Sequence, residues 1–330
     1  AIMEYEVIKS GMNLFGWRQV PVNSSIIGEK ANYTRPEIEQ LIFSPKEKNA
    51  NIEKTLYLTR RRIENKIKSL NISNFYICSL SSEVIVYKGM FLAEQLSSFY
   101  PDLLDPDFKS KFAVYHQRYS TNTFPTWSLA QPFRMLAHNG EINTLKGNLN
   151  WMKAHETRIT DDFFGDRVED LKPILDSDAS DSASLDAAFE ILLQTDRSLP
   201  MTKSMIIPES WSNNNDMPDE LKKMYAYCNA VIEPWDGPAA VCANFGDWII
   251  SGMDRNGLRP LRYIITDDDL LISGSEVGMV IVDDKNILKK GRVGPGELIA
   301  VNYKEKKFYQ SDELKKQLAK QNPYVEWNKN

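Results

Sequence analysis

Cysteine is scarce in this sequence: only Cys78, Cys228 and Cys242 occur, with no CxxC pair. That excludes a disulfide framework and a cysteine-rich ligand run for zinc or an iron–sulfur cluster. Each sits in an apolar stretch, as in Phe75-Tyr-Ile-Cys78 and Val241-Cys-Ala-Asn-Phe245, which predicts buried, reduced thiols in an intracellular compartment. Histidine is equally sparse. His116, His138 and His155 have neither i,i+4 spacing nor nearby cysteines, so no metal site is expected. No apolar run reaches the roughly 18 residues of a membrane span, and the opening Ala1-Ile-Met-Glu-Tyr-Glu-Val has neither the basic nor the apolar region of a secretory leader. Gly-rich phosphate loops and a GxSxG elbow are missing too. Basic excess is absent: 40 Lys and Arg stand against 45 Asp and Glu, for a net charge of −5. Nucleic acid and anionic membranes therefore have no electrostatic hold on the chain.

What is present is ordinary globular composition, 42% apolar and 26% charged, enough for a sizeable core. Residues 45–70 alternate charged and apolar positions at helical spacing, which predicts a solvated amphipathic helix, with Arg60 to Arg62 offset by Glu53 and Glu64. Asn74–Ser79 and Glu83–Tyr87 read as a β-hairpin, with further strands at Phe112–Gln117 and Phe133–Ala137 bracketing a long polar loop from Ser120 to Pro132. A helix is predicted from Asp181 to Leu193, with Leu185, Ala188, Phe189, Leu192 and Leu193 on one face and Ser180 or Asp181 as its cap. From Ala239 to Tyr303 strands return, at 239–243, 248–251, 262–265, 270–273, 278–282 and 298–301, separated by turn signals such as Arg255-Asn-Gly257 and Gly294-Pro-Gly296. Strands, helices and strands again, joined by short connections, predict an α+β architecture with mostly antiparallel sheets. The polar stretch from Ser311 onward reads as a helix leaving the domain.

Two readings compete at His138-Asn-Gly-Glu141. One is a type I′ hairpin turn on Asn139-Gly140. The other is an oxyanion hole, with the Asn139 amide and the Gly140 N–H aimed at a tetrahedral intermediate, glycine permitting close approach of the main chain. Arg118 is either a surface cation or a guanidinium that grips a substrate carboxylate. Asp181 is either a helix cap or a partner for a substrate ammonium. The acidic run Asp176-Ser-Asp-Ala-Ser-Asp181 lacks the glycine and the final glutamate of a calcium loop.

The run Val114-Tyr-His-Gln-Arg-Tyr-Ser-Thr-Asn-Thr-Phe-Pro-Thr-Trp through Ala137-His-Asn-Gly-Glu-Ile-Asn-Thr-Leu-Lys-Gly-Asn-Leu-Asn-Trp151 closely resembles the amidotransferase domain of glutamate synthase large chains. So do Ser82-Glu-Val-Ile-Val-Tyr-Lys-Gly-Met90, Asp178-Ala-Ser-Asp-Ser182, Glu233-Pro-Trp-Asp-Gly-Pro-Ala239 and Met253-Asp-Arg-Asn-Gly-Leu-Arg-Pro-Leu-Arg-Tyr263. The resemblance covers essentially the whole chain. It implies a class II glutamine amidotransferase with the four-layer αββα sandwich of N-terminal-nucleophile hydrolases, lacking its first strands, over residues 1–310, with 311–330 beginning the connection to a following domain. By motif position it implies that Arg118 holds the glutamine α-carboxylate and Asp181 its α-ammonium, while Asn139 and Gly140 stabilise the oxyanion. In the family the nucleophile is an N-terminal cysteine whose own α-amino group acts as base. Glutamine yields glutamate and ammonia, and the ammonia passes to domains that bind FMN and a 3Fe-4S cluster and reduce 2-iminoglutarate.

The sequence departs from the family at its first residue, because Ala1 is not cysteine. Cys78, Cys228 and Cys242 lack a free α-amino group, so the chain alone is expected to be inactive. The resemblance further implies glutamine and the remaining glutamate synthase domains as partners, with ferredoxin or an NADPH-dependent small subunit as electron source. The setting it implies is a bacterial cytoplasm or a plastid stroma. Two alternatives stay open: another class II amidotransferase, or a non-catalytic remnant that still binds glutamine.

Overall fold

The computed structural model describes residues 1–119, 124–276 and 278–329. They fall into two compact units, Ala1–Arg134 with Arg158–Ile174, and Met135–Thr157 with Leu175–Asn330.

In the first unit, helix α1 (Ile2–Lys9) leads into strands β1 (Met12–Gln19) and β2 (Glu39–Pro45), which pair antiparallel with an irregularity at Leu14/Gly16. The short α2 (Glu29–Tyr33) lies between them, followed by α3 (Ile52–Ser69) and the short α4 (Leu96–Phe99). Val7, Met12 and Leu56 form one apolar cluster, while Val20, Ile27, Phe99, Tyr100 and Trp127 form another.

The amphipathic helix predicted over 45–70 is α3, but its arginines are not a surface feature. Arg60 is only 3% exposed. Its Nη1 lies 2.7 Å from Glu64 Oε1, and Arg61 and Arg134 reach the same carboxylate at 2.8 and 3.0 Å. Burial alone would raise the Glu64 carboxyl, yet the surrounding guanidiniums of Arg60, Arg134 and Arg61 outweigh it and hold the pKa at about 2. Arg62 pairs with Asp170 at 2.7 Å.

The hairpin predicted at 74–79 and 83–87 does not form, and neither does the strand at 112–117. Side chains take the backbone groups that a ladder would have used. Glu53 accepts from the Ser82 N–H at 2.8 Å and from the hydroxyls of Ser81 and Ser82. The Val86 N–H donates to Ser79 Oγ at 3.4 Å, and Arg134 donates to the Ile77 carbonyl at 2.7 Å. Of the predicted loop from Ser120 to Pro132, residues 120–123 lie outside the described residues.

The second unit contains β3 (Leu136–Gly140), α5 (Leu145–Glu156), α6 (Asp181–Leu193), α7 (Leu199–Ile206) and α8 (Asp219–Val231). Strands β4 (Ala239–Phe245), β5 (Trp248–Met253), β6 (Arg262–Thr266), β7 (Leu271–Gly274), β8 (Ile287–Arg292), β9 (Leu298–Asn302) and β10 (Lys307–Tyr309) come next, then α9 (Ser311–Lys320) and α10 (Tyr324–Trp327). A five-stranded sheet runs β10-β9-β5-β4-β3 and a three-stranded sheet runs β7-β6-β8, antiparallel at every pairing. Ala240, Met253 and Ile299 of the larger sheet pack on Leu261, Tyr263 and Val293, so the two sheets bury one face of each against the other.

Helices α7 and α9 contact the larger sheet, α7 through β4 and β5 and α9 through β9. Lys203 of α7, only 1% exposed, donates from Nζ to the Met253 carbonyl at 2.8 Å. Layers of helix, sheet and sheet are thereby present within this unit, and the α+β class with antiparallel sheets is as expected.

Two details differ from the sequence reading. Residues 278–282 form no strand; β6 pairs with β7 and with β8, whose Ile-Leu-Lys-Lys-Gly-Arg alternates half-buried and exposed positions. The Lys289 ammonium lies over two of the rings packed there, with Nζ 5.9 Å from the Tyr263 ring centre and 5.8 Å from that of Phe308. The polar helix from Ser311, read as leaving the domain, packs instead within this unit, with Leu314 and Leu318 each 1% exposed and the Leu298 N–H donating to Ser311 Oγ at 3.3 Å.

Candidate active site

Asn139-Gly140 is not a hairpin turn. Both residues belong to β3, opposite Ala240 and Ala239 of β4. β3 is the edge strand of the larger sheet. The Glu141 N–H donates to the Pro238 carbonyl at 2.9 Å and the Asn244 N–H to that of Met135 at 3.0 Å. Odd-numbered residues of β3 therefore face β4, and even-numbered ones turn their amides outward. Leu136 and Ile142 follow this rule: their N–H groups go to Asp186 Oδ1 at 3.1 Å and Asp181 Oδ2 at 2.9 Å. By the same alternation the Gly140 N–H points out from the edge.

The side chains alternate as well. Asn139 shares its face with its partner Ala240, the face that meets the smaller sheet. The face of His138 and Gly140 is the opposite one. Glycine at 140 is required by space, because a Cβ there would strike the Pro238 carbonyl and the His138 imidazole. Gly237 has φ +148, and a Cβ on it would meet the Glu141 carbonyl and the Asn143 N–H. Its absence lets 236–238 run beside 141–143, with the Asn143 N–H donating to the Asp236 carbonyl at 2.8 Å.

Helix α6 supplies the second half of the site. Ser180 caps it, accepting from the Ala183 N–H at 3.1 Å, which leaves the Asp181 carboxylate free of the capping role. Asp181 instead accepts from Ile142, just beyond the expected oxyanion donors. The helix is buried nearly all round, including the five apolar residues assigned to one face. Its Asp186, 1% exposed, accepts from Met135 and Leu136 at the start of β3.

Segments far apart in sequence converge here. Asp254 accepts from the Ala239 N–H at 2.8 Å and from Asn256 and Gly257 at 2.8 and 3.2 Å. Asn148 of α5 donates to the Pro234 carbonyl at 3.1 Å, and Asp236 ion-pairs with Arg255 at 2.6 Å. The second unit thus brings Asn139, Gly140 and Asp181 together. Arg118 belongs to the first unit; it is exposed, and its N–H donates to His116 Nδ1 at 3.3 Å. Sequence reasoning missed Asp186 and Gly237 as parts of the site. A signal existed for Gly237, which lies within Glu233-Pro-Trp-Asp-Gly-Pro-Ala239.

Burial raises the thiol pKa at all three cysteines, to about 12 at Cys228. Among the described residues no group of three or more His, Cys, Asp or Glu is placed to hold a metal ion. Three isolated thiols, one buried and two half-buried, do not fit an iron–sulfur cluster, which needs several converging thiolates.

The sequence pattern of glutamine amidotransferases class-II matches residues 1–327, and the chain belongs to that family. Among its relatives is the glutamate synthase [NADPH] large chain of Azospirillum brasilense, 56% identical over all of this chain and 22% of its own length. The ferredoxin-dependent glutamate synthase 2, chloroplastic, of Arabidopsis thaliana is 42% identical over 97% of this chain and 20% of its own. The chain therefore spans about a fifth of the length of the curated relatives it matches. A solved glutamine phosphoribosylpyrophosphate amidotransferase from B. subtilis aligns with 59% of this chain and 34% of its own at 19% identity and a TM-score of 0.31. Among the described residues no helix is long and apolar enough to cross a membrane.

Proposed function

We propose that this chain is the glutaminase portion of a glutamate synthase, converting glutamine to glutamate and ammonia. The observation that carries the reading is the edge of β3. The Gly140 N–H points out from the sheet edge next in sequence to Asn139, and Asp181, a carboxylate not used as a cap, sits against the next outward amide. A tetrahedral oxyanion held by Asn139 and Gly140 would place the substrate's ammonium end toward Asp181. Arg118 is assigned the α-carboxylate through a two-pronged guanidinium contact.

The nucleophile is not assigned to Cys78, Cys228 or Cys242, which lack a free α-amino group and whose thiol pKa burial raises, so the chain alone is expected to have no glutaminase activity. Ammonia is passed to reductive amination of 2-oxoglutarate in other domains, which would hold FMN and the 3Fe-4S cluster. Electrons come from ferredoxin or from an NADPH-dependent small subunit, and the setting is a bacterial cytoplasm or a plastid stroma. In the full-length gene product, Asn139→Ala lowers the glutaminase kcat by about 10²–10³, the usual effect of losing one oxyanion donor. An electrophilic glutamine analogue labels none of Cys78, Cys228 and Cys242. An unchanged rate in Asn139→Ala, or a label on any of the three, overturns the reading.

A further inference from the structure

Next to the expected oxyanion donors lies a buried pair that the roles above leave unused. His138 precedes Asn139 on β3 and is 2% exposed, and Ser182 in the first turn of α6 is 6% exposed. His138 Nδ1 is 2.8 Å from Ser182 Oγ, and that oxygen is 3.3 Å from Asp181 Oδ1. A hydroxyl has one proton. When Ser182 gives it to the Asp181 carboxylate, it accepts from His138 Nδ1–H, which fixes the tautomer of the ring. That ring is one wall of the slot that Gly140 occupies, and the Pro238 carbonyl is the other.

We propose that His138, locked through Ser182, is a positioning residue: the imidazole holds the Gly140 peptide at the edge of β3, and Ser182 ties it to the Asp181 carboxylate. Oxyanion donor and ammonium acceptor are thereby built as one piece from two elements far apart in sequence. This inference rests on the reading that Asn139, Gly140 and Asp181 handle glutamine.

The two residues make separable predictions. Removing the ring loosens only the donor, which acts in the transition state, so kcat falls while KM holds. Removing the hydroxyl loosens both ends. In the full-length gene product, His138→Asn should lower the glutaminase kcat about tenfold, the worth of one hydrogen bond, with KM within about twofold. Ser182→Ala should lower kcat and also raise KM, and Ser182→Thr, which restores the hydroxyl, should recover both.

Glycine-selective amide spectra of the same variants give a readout independent of turnover: the Gly140 resonance should move in His138→Asn and in Ser182→Ala and return in Ser182→Thr. An unmoved Gly140 resonance, or a His138→Asn enzyme with unchanged kcat while Asn139→Ala is crippled, overturns the proposal. If Asn139→Ala leaves the rate untouched, the glutaminase reading is what fails, and the amide spectra alone then decide whether His138 positions Gly140.

Discussion

Residues 74–88 of the first unit and the sheets of the second solve the same problem, where to send backbone hydrogen bonds, in opposite ways. In the second unit strand pairs with strand, and on either side of the edge strand's centre the outward amides of Leu136 and Ile142 find fixed carboxylates, Asp186 and Asp181. In 74–88 side chains serve as partners: Glu53 for Ser82, Ser79 for Val86, Arg134 for Ile77. A ladder is regular and shows in sequence as alternation. A set of side-chain clasps has no period, and each depends on residues distant in the chain.

The largest test of this contrast falls on Glu64. Glu64→Gln leaves three guanidiniums without their shared charge and should destabilise by about 3–5 kcal/mol, read by denaturant unfolding, with faster amide exchange over 53–88 and little change in β4 and β5. The same carboxylate sets a pH dependence. Its pKa is lowered from 4.5 to about 2 in the folded protein, so its contribution is complete above pH 4.5 and drains away as pH falls toward 2. Wild type should lose stability across that window more steeply than Glu64→Gln.

A smaller effect is expected from Gly140→Ala. The added methyl meets main chain at Pro238 and the locked His138 ring, and overpacking of this kind costs about 1–3 kcal/mol. A melting temperature equal to wild type would show that the slot is not rigid. The smallest is Ser180→Ala, which removes the cap of α6 at about 1 kcal/mol; no loss at all would mean that the buried helix does not rely on its cap.

The sequence made α6 legible because its cap and apolar spacing agree, and β4, β5, β6, β7 and β9 because alternation and turn signals agree. It missed β8 because Lys289 and Lys290 stand inside the strand where apolar residues were sought. The hairpin over 74–87 was misread because β-rich composition resembles a ladder until its partners are known. At the site, Asn-Gly invited a turn; only the register of β3 with β4 shows that Gly140 is there for space and not for its dihedral freedom. Arg118, Asn139, Gly140 and Asp181 entered as candidates through family resemblance. Asp186 and the His138–Ser182 pair did not, because they act on backbone and on one another.

Asp181, held beside the Gly140 edge, is proposed as the carboxylate that faces the substrate. Titration calorimetry with glutamine on Asp181→Asn tests it, since asparagine keeps an oxygen for the Ile142 N–H but lacks the negative charge. A weakening of about 1.5–3 kcal/mol relative to wild type, the loss of one charge-assisted contact, is the result predicted here. Equal affinity in the two proteins would contradict it.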